Sequence, residues 1–368
     1  MNHDRLRALI LILIATYGTW RACTFGIMND YDVYYRAGHS AFEFLMGRPV
    51  SFGLIHGESS PFRYPPFMAW VFMPFAWLPL DLGRGVWVAI GWCAYLASLM
   101  RLEKAFTLSG YARWALAVGT IRFAVDNSNI GQISTILGWL LIEGALNSNF
   151  YKRAGSLALA GLVKLQPLVF VGIWAVRRER ALLYAFLASL LALMALSLTF
   201  GTEAFVTWLY LSTQATQILD PAIVGNQSLY GTLLRIFGPG RSAGAVFSVT
   251  LIITTFVAIR AWRSRGWSDL FAWQLGLASL PVFGLITWKN TYVFWALPLA
   301  FLLVKSPRLG VFAAGIFFLP SQGIIGSDWN GALLRYGILP LSALLIILAS
   351  SLKPALGNGD HSIVKPQS

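Results

Sequence analysis

Ionisable and amide side chains are scarce in this 368-residue chain, and they gather at a few places where chemistry could occur. The first is the run Asn29-Asp30-Tyr31-Asp32-Val33-Tyr34-Tyr35. Either carboxylate, Asp30 or Asp32, could act as a general base that takes a proton from an attacking hydroxyl. Asp at such a position also serves as an ordinary helix cap, and spacing alone leaves both uses open. Arg36 follows directly and counts among the candidate substrate ligands. The second place is Pro61-Phe62-Arg63-Tyr64-Pro65-Pro66-Phe67, where prolines stiffen a return into apolar sequence. There Arg63 and Tyr64 could clamp a lipid phosphate, although an arginine beside apolar sequence also snorkels without any ligand.

A third group consists of Asp126-Asn127-Ser128-Asn129-Ile130-Gly131-Gln132, Lys164-Leu165-Gln166-Pro167, Asn226-Gln227-Ser228-Leu229 with Arg235, and Trp288-Lys289-Asn290. Each sets amides or a cation between apolar runs. Single amides of this kind commonly tie helices together. Four such interruptions, two of them with Lys, suit a hydrated cavity that binds a polyhydroxylated ligand and neutralises a phosphate. Gln132, Lys164, Asn226, Gln227, Arg235, Trp288 and Lys289 are its candidate ligands. The chain has no Walker loop, dinucleotide fingerprint, paired-Cys motif or His-x-x-x-His, and its four histidines are dispersed. No cofactor or metal site is expected, although Asp30 with Asp32 could hold a divalent ion.

The elements that must carry these residues follow from composition. With 57% apolar and 12% charged residues, the chain reads as an all-α polytopic transmembrane helical bundle. Its formal charge of +13 is scattered over loops, which fits anionic headgroups and the positive-inside bias and argues against nucleic acid. Cys23 and Cys93 lie in apolar runs, where packed, reduced thiols are expected. Residues 1–28 read as an uncleaved signal-anchor with a cytoplasmic N-terminus. Residues 29–64, with His39, His56 and Glu58, then form an extracytoplasmic loop holding an amphipathic helix over 33–46, in which Tyr34, Ala37, Ala41 and Leu45 share one side. About ten to twelve membrane helices are expected. Pro65, Pro66, Pro74 and Pro167 mark broken or tilted ones. The clusters Arg177, Arg178, Arg180 and Arg260, Arg263, Arg265 mark the cytoplasmic side, but Arg101 with Lys104 and Lys152 with Arg153 cannot all share it if every apolar run crosses once, so charge leaves the topology open; a bacterial inner membrane is the expected location. Residues 1–354 form one integral membrane domain, followed by a disordered tail over 355–368.

These motifs together resemble a known family. Asp-Tyr-Asp-Val-Tyr-Tyr-Arg-Ala-Gly (30–38), Phe-Arg-Tyr-Pro-Pro (62–66), Gly-Gln-Ile (131–133), Ala-Gly through Lys-Leu-Gln-Pro (154–167), Asn-Gln-Ser-Leu-Tyr-Gly (226–231) and Thr-Trp-Lys-Asn (287–290) are similar, in this order, to the motifs of glycosyltransferase family 87. That family comprises GT-C type membrane enzymes, typified by polyprenyl-phosphate-mannose-dependent α-mannosyltransferases. The resemblance makes Asp30 the catalytic base, with Asp32 in a more variable slot, and it places Arg63 and Lys164 at the family's basic positions. Where many relatives have one or two His after the late Trp, this chain has Asn290 and Thr291.

The resemblance implies inverting transfer of a hexose, mannose in the typical case, from a polyprenyl-phosphate donor to a hydroxyl of a lipid or glycan on the extracytoplasmic side. Phosphate leaves readily, so one carboxylate suffices to activate the acceptor. The rival readings are a transporter or flippase for a lipid-linked or polar solute, which would use the same membrane-depth amides and cations, and a structural subunit of an envelope-assembly complex. A transporter should show pseudo-symmetric halves, which the sequence does not display.

Overall fold

The computed structural model describes residues 3–24, 28–48, 62–164, 166–168, 170–171, 174, 179–218, 222–265, 269–284, 287–320 and 322–352. His56, Glu58, Arg177, Arg178 and the 355–368 tail lie outside the described residues. The described residues form helices and connecting turns, with one isolated antiparallel bridge and no strand. The protein is an all-α polytopic membrane protein. Three helices are long and apolar enough to cross a bilayer: α1 (His3–Thr24), α4 (Leu80–Ala105) and α8 (Arg180–Leu198). A bent pair, Ile325–Arg335 with Ile338–Leu348, makes a fourth candidate, and four apolar helices of 10–17 residues are shorter. Length and composition therefore identify fewer full spans, among the described residues, than the ten to twelve that the apolar runs suggest.

The chain divides into two compact units, one of residues 1–95 with 125–218 and one of residues 96–124 with 219–368. In the first unit, α2 (Asn29–Leu45) begins four residues earlier than its apolar pattern suggests. Tyr31, Tyr34, Ala37, Gly38 and Ala41 are buried along one face, while Arg36 and His39 are exposed. Leu45, expected on the apolar side, is exposed at the last turn. The buried face packs on α3 (Phe67–Phe72) and on the 3-10 turn Met73–Trp77. That approach needs Gly38, because a Cβ there would stand 2.5 Å from the Phe72 carbonyl oxygen. Tyr34 stacks on Phe72 with ring centroids 4.5 Å apart.

α3 is tied to the end of α8, where Trp70 Nε1 donates to Thr199 Oγ1 at 3.0 Å and the Phe67 N–H to Ser197 Oγ at 3.4 Å. α5 (Gly110–Ile130), α6 (Ser134–Leu146) and α7 (Phe150–Val163) follow α4, and α7 lies between α6 and α8. α9 (Thr202–Ile218) closes this unit. Both cysteines are free: Cys23 is half-buried, and Cys93, expected to be packed, lies on the exposed side of α4.

The second unit contains α10 (Leu229–Phe237), α11 (Arg241–Arg265), α12 (Asp269–Phe283), α13 (Ala296–Lys305), α14 (Pro307–Phe318), α15 (Gln322–Arg335) and α16 (Ile338–Leu352). α13 packs on α14, α10 on α11, and α12 on α16. Asn226 and Trp288 form the bridge that joins the polar segment before α10 to the 3-10 turn Lys289–Trp295.

Candidate active site

The first turn of α2 carries both acidic residues, and neither caps it. The residue at the N-cap position is Met28, which makes no side-chain capping bond. Asp30 and Asp32 then lie inside the helix, where their charge still favours the positive end of its dipole. Two residues apart on a helix, they point in different directions and meet different partners.

Asp32 faces α4. Arg84 Nε donates to its Oδ1 at 3.0 Å and Arg84 Nη2 to its Oδ2 at 2.8 Å, a bidentate pair, while Arg84 Nη1 donates to Asp81 Oδ1 at 2.8 Å. The Arg84 side chain is 10% exposed, so this pair is screened little by solvent. Asp32 is thereby neutralised.

Asp30 faces the turn between α5 and α6. Gln132 provides its side-chain hydrogen bond, and the Lys164 charge acts on it. Burial raises the Asp30 pKa above the ordinary aspartate range, and Lys164 and Gln132 oppose that rise. Lys164 Nζ donates to Ser134 Oγ at 2.8 Å, and Ser134 Oγ donates to Gln132 Oε1 at 3.3 Å. Lys164 ends α7 in an extended conformation with its N–H still bonded to the Ala160 carbonyl at 2.9 Å. The helix therefore stops where its ammonium reaches this cluster.

The turn itself is fixed by two residues. Asn127 Nδ2 donates to the Gln132 carbonyl at 2.6 Å and to Thr135 Oγ1 at 3.1 Å, and Asn127 Oδ1 accepts from the Ser134 N–H at 3.0 Å. Gly131 has φ of +72°, and a Cβ on it would stand 2.5 Å from Tyr31 Cβ and 3.1 Å from Tyr31 N. Only glycine gives that left-handed conformation together with this close approach to α2. Trp87 Nε1 donates to the Gly131 carbonyl at 2.8 Å, which locks the turn to α4.

Above Asp30 on the same helix, Tyr34 Oη lies 2.7 Å from Tyr64 Oη. Burial raises the pKa of both phenols, and the Asp30 charge adds to it. The neighbouring Arg63 opposes the rise at Tyr64, and Arg63 Nε is buried with no hydrogen-bond partner among the described residues. The first unit thus brings together Asp30, Arg63, Tyr64, Gln132 and Lys164 from four separate motifs. Arg36 stands apart on the exposed side of α2.

The remaining sequence candidates belong to the second unit. Asn226 Oδ1 accepts from the Ser228 and Thr287 N–H groups at 3.1 and 2.9 Å. Gln227 Nε2 donates to the Val224 and Leu334 carbonyls at 2.6 and 3.1 Å. Arg235 donates through Nε to the Arg335 carbonyl, through Nη1 to the Ile223 and Asn226 carbonyls, and through Nη2 to Thr232 Oγ1 and the Leu334 carbonyl. A guanidinium has about five N–H donors, so this one is fully occupied in holding the loop. Trp288 packs against Gly225. Lys289 is half-buried, and Asn290 is buried with neither side-chain polar atom partnered among the described residues. Within the first unit the 126–132 and 164–167 segments meet at Lys164, Ser134 and Gln132, and within the second the 226–229 and 287–290 segments meet at the Asn226–Trp288 bridge. Among the described residues, no three of His, Cys, Asp and Glu group as metal ligands.

Residues 62–287, more than half of the chain, match the profile of glycosyltransferase family 87. The chain belongs to that family. It is a glycosyltransferase, which removes the transporter and structural-subunit readings. Three mannosyltransferases illustrate the similarity. The polyprenol-phosphate-mannose-dependent alpha-(1-2)-phosphatidylinositol pentamannoside mannosyltransferase of Mycobacterium tuberculosis is 26% identical over 82% of this chain and 73% of its own length. The protein of the same name from Mycolicibacterium smegmatis is 29% identical over 67% of this chain and 62% of its own. The polyprenol-phosphate-mannose-dependent alpha-(1-2)-phosphatidylinositol mannoside mannosyltransferase of Mycolicibacterium smegmatis is 28% identical over 82% and 75%. No solved structure matches the chain.

Sequence reasoning about this family 87 glycosyltransferase passed over Ser134 and Arg84, and named Tyr34 and Asn127 within its motifs without counting them among the candidate site residues. Ser134 directly follows the Gly-Gln-Ile motif and Tyr34 lies one helical turn after Asp30, so proximity to motifs was the available signal. Arg84 had none, because an arginine near the start of an apolar helix reads as an interfacial anchor.

Proposed function

We propose that this glycosyltransferase moves a hexose, mannose, from a polyprenyl-phosphate donor to an acceptor hydroxyl on the extracytoplasmic side, with inversion and with Asp30 as general base. The observation that supports this most is the division of labour on α2: Arg84 neutralises Asp32, while Asp30 meets the Gln132 amide and the charge of Lys164. The names of the relatives support the donor class and make a mannosylated phosphatidylinositol the first acceptor to test.

In this scheme Asp30 removes the acceptor hydroxyl proton as that oxygen attacks the anomeric carbon. The bond from that carbon to the phosphate oxygen breaks, and the phosphate departs with the sugar-to-phosphate electron pair. Arg63 and Lys164 stabilise the charge that accumulates there, an electrostatic contribution that is strong in a partly desolvated site. Gln132 orients the carboxylate and Ser134 orients the ammonium. Arg36 is left as a headgroup contact on the exposed side of α2. Asn226, Gln227 and Arg235 shape the second unit and bind no substrate, whereas Trp288 and Lys289 remain ligand candidates there.

The test is transfer from labelled polyprenyl-phosphate mannose to phosphatidylinositol mannosides by the purified protein in lipid nanodiscs. A new glycolipid made by the wild type, and lost in Asp30→Asn, is the expected result. Transfer retained in Asp30→Asn removes that residue as the base, and failure of the wild type with every mannosylated lipid or glycan acceptor removes the donor and acceptor class.

A further inference from the structure

The Tyr34–Tyr64 contact has a direction that can be read from burial. Tyr34 is 0% exposed, and its oxygen accepts from the Ile133 N–H. Among the described residues, the only acceptor within reach of its own proton is Tyr64 Oη at 2.7 Å. A buried hydroxyl that donates nowhere is costly, so Tyr34 donates and Tyr64 accepts. The Tyr64 proton is then left for another partner. It is not used by Asp30, whose side-chain hydrogen bond comes from Gln132. Arg63, adjacent in the chain, likewise has a buried Nε–H that finds no partner among the described residues.

Tyr34 is held rigidly enough to fix this direction. Its ring stacks on Phe72, meets Trp87 edge-on at 5.7 Å, and meets the Tyr64 ring edge-on at 5.1 Å. Each acceptance along such a chain polarises the next O–H, so the last donor is the strongest. Two donors that find no acceptor among the described residues, one of them cationic, suit an anion.

We propose that Ile133, Tyr34 and Tyr64 form a one-way hydrogen-bond relay, whose final proton on Tyr64 Oη is donated to a phosphate oxygen of the lipid-linked donor, with Tyr34 as a positioning residue. The inference rests on the reading above that the chain takes a polyprenyl-phosphate sugar, and it adds a neutral donor and its support to the cations already assigned. Tyr64 touches the leaving phosphate in this scheme. Tyr34 touches only Tyr64.

The experiment compares equilibrium binding of a polyprenyl phosphate with that of the polyprenol of equal length, using detergent-solubilised wild type, Tyr64→Phe, Tyr34→Phe and the double variant. Size-exclusion chromatography checks that each is folded. Hydrogen bonds to charged groups are worth enough that Tyr64→Phe should lower the preference for phosphate over alcohol about 10- to 100-fold. Tyr34→Phe keeps the Tyr64 hydroxyl but not its alignment, and should lower the preference by about 3- to 10-fold. The double variant should match Tyr64→Phe alone, because a relay without its last member has nothing to position. An unchanged preference in Tyr64→Phe, or losses that simply multiply in the double variant, overturns the relay. A wild type that does not distinguish phosphate from alcohol overturns the donor reading itself, so the two failures are separable. Should Tyr34→Phe fail to fold, the half-buried Tyr64→Phe decides alone.

Discussion

Arg84 grips Asp32 through two parallel hydrogen bonds of 3.0 and 2.8 Å, two residues along α2 from an Asp30 that is instead hydrogen-bonded by Gln132. The two carboxylates are near-neighbours in sequence and belong to different problems. One fastens α2 to α4, where Arg84 also reaches Asp81. The other faces a cluster of Gln132, Ser134 and Lys164 in which a proton could be received.

Replacing each carboxylate by its amide separates the two roles. Asp30→Asn should reduce transfer by about 10²- to 10⁴-fold, the usual contribution of a general base, while the protein stays folded. Asp32→Asn should instead cost on the order of 2–4 kcal/mol of stability, because Arg84 would keep its charge in a place where solvent screens it little. Initial rates and thermal unfolding in detergent, measured on both variants, check this. Equal effects of the two substitutions on both readouts would show that the asymmetry has no functional meaning.

The pH dependence follows from the direction of the Asp30 shift. Burial raises its pKa, and Lys164 and then Gln132 hold that rise back. A base must be ionised to work, so activity should fall as pH drops through this raised value, at a higher pH than an ordinary aspartate would give. Lys164→Met removes the main opposing charge and should move the acidic limb of the rate profile to still higher pH. Stability runs the other way. A carboxyl whose pKa is raised by folding contributes stability below its unfolded pKa and loses it as pH rises through the folded one. Asp30→Asn should therefore be the more stable protein at neutral pH, and the difference should vanish in acid. An acidic limb that stays in place in Lys164→Met would contradict this account.

Much of this arrangement was legible in the residues, and the exceptions have physical causes. Composition sufficed for an all-α membrane protein, whereas motif position ranks Asp30 over Asp32 without revealing the partner of either. The early start of α2 was hidden because Met28 caps nothing, so the usual polar start signal is missing. Tyr34 was visible as a member of the buried face but not as a hydrogen-bond donor, since periodicity reports burial and not partners. Arg235 reads as a substrate-binding candidate because an arginine between apolar runs looks the same whether it faces a ligand or a set of carbonyls. The pairing of the polar segments within separate units depends on contacts far apart in sequence, which no local pattern encodes.

Gly131 is the hinge on which the Asp30 surroundings depend. Gly131→Ala places a Cβ against the Tyr31 backbone in a conformation with φ of +72°. The left-handed backbone alone costs about 1–2 kcal/mol for a residue with a side chain, and the contact adds to it. The turn should relax away from α2 and carry Gln132 with it, so the variant should lose stability and also show a raised acidic limb, as Asp30 loses its amide partner. Thermal unfolding and a pH–rate profile check both parts. A variant that is destabilised yet keeps the wild-type profile would mean that Gln132 follows α2 independently of the turn.

Arg235 provides the opposite test, a conserved-charge substitution whose effect should be structural alone. Its guanidinium reaches four main-chain carbonyls and Thr232 Oγ1, from Ile223 before the polar segment to Arg335 at the end of α15. Arg235→Lys keeps the positive charge but presents about three donors from a single point, which cannot span that set. Several carbonyls would lose their partner, at a net cost of roughly 1 kcal/mol each where they are buried. If Arg235 served the donor phosphate, charge retention in the Lys variant would preserve most of the affinity while Arg235→Met would lose it. With the fork occupied by carbonyls, the two variants should instead be destabilised alike, and the fraction that remains folded should bind polyprenyl phosphate as the wild type does. Binding normalised to the folded fraction checks this, and a selective loss of phosphate affinity in Arg235→Met would return this residue to the substrate.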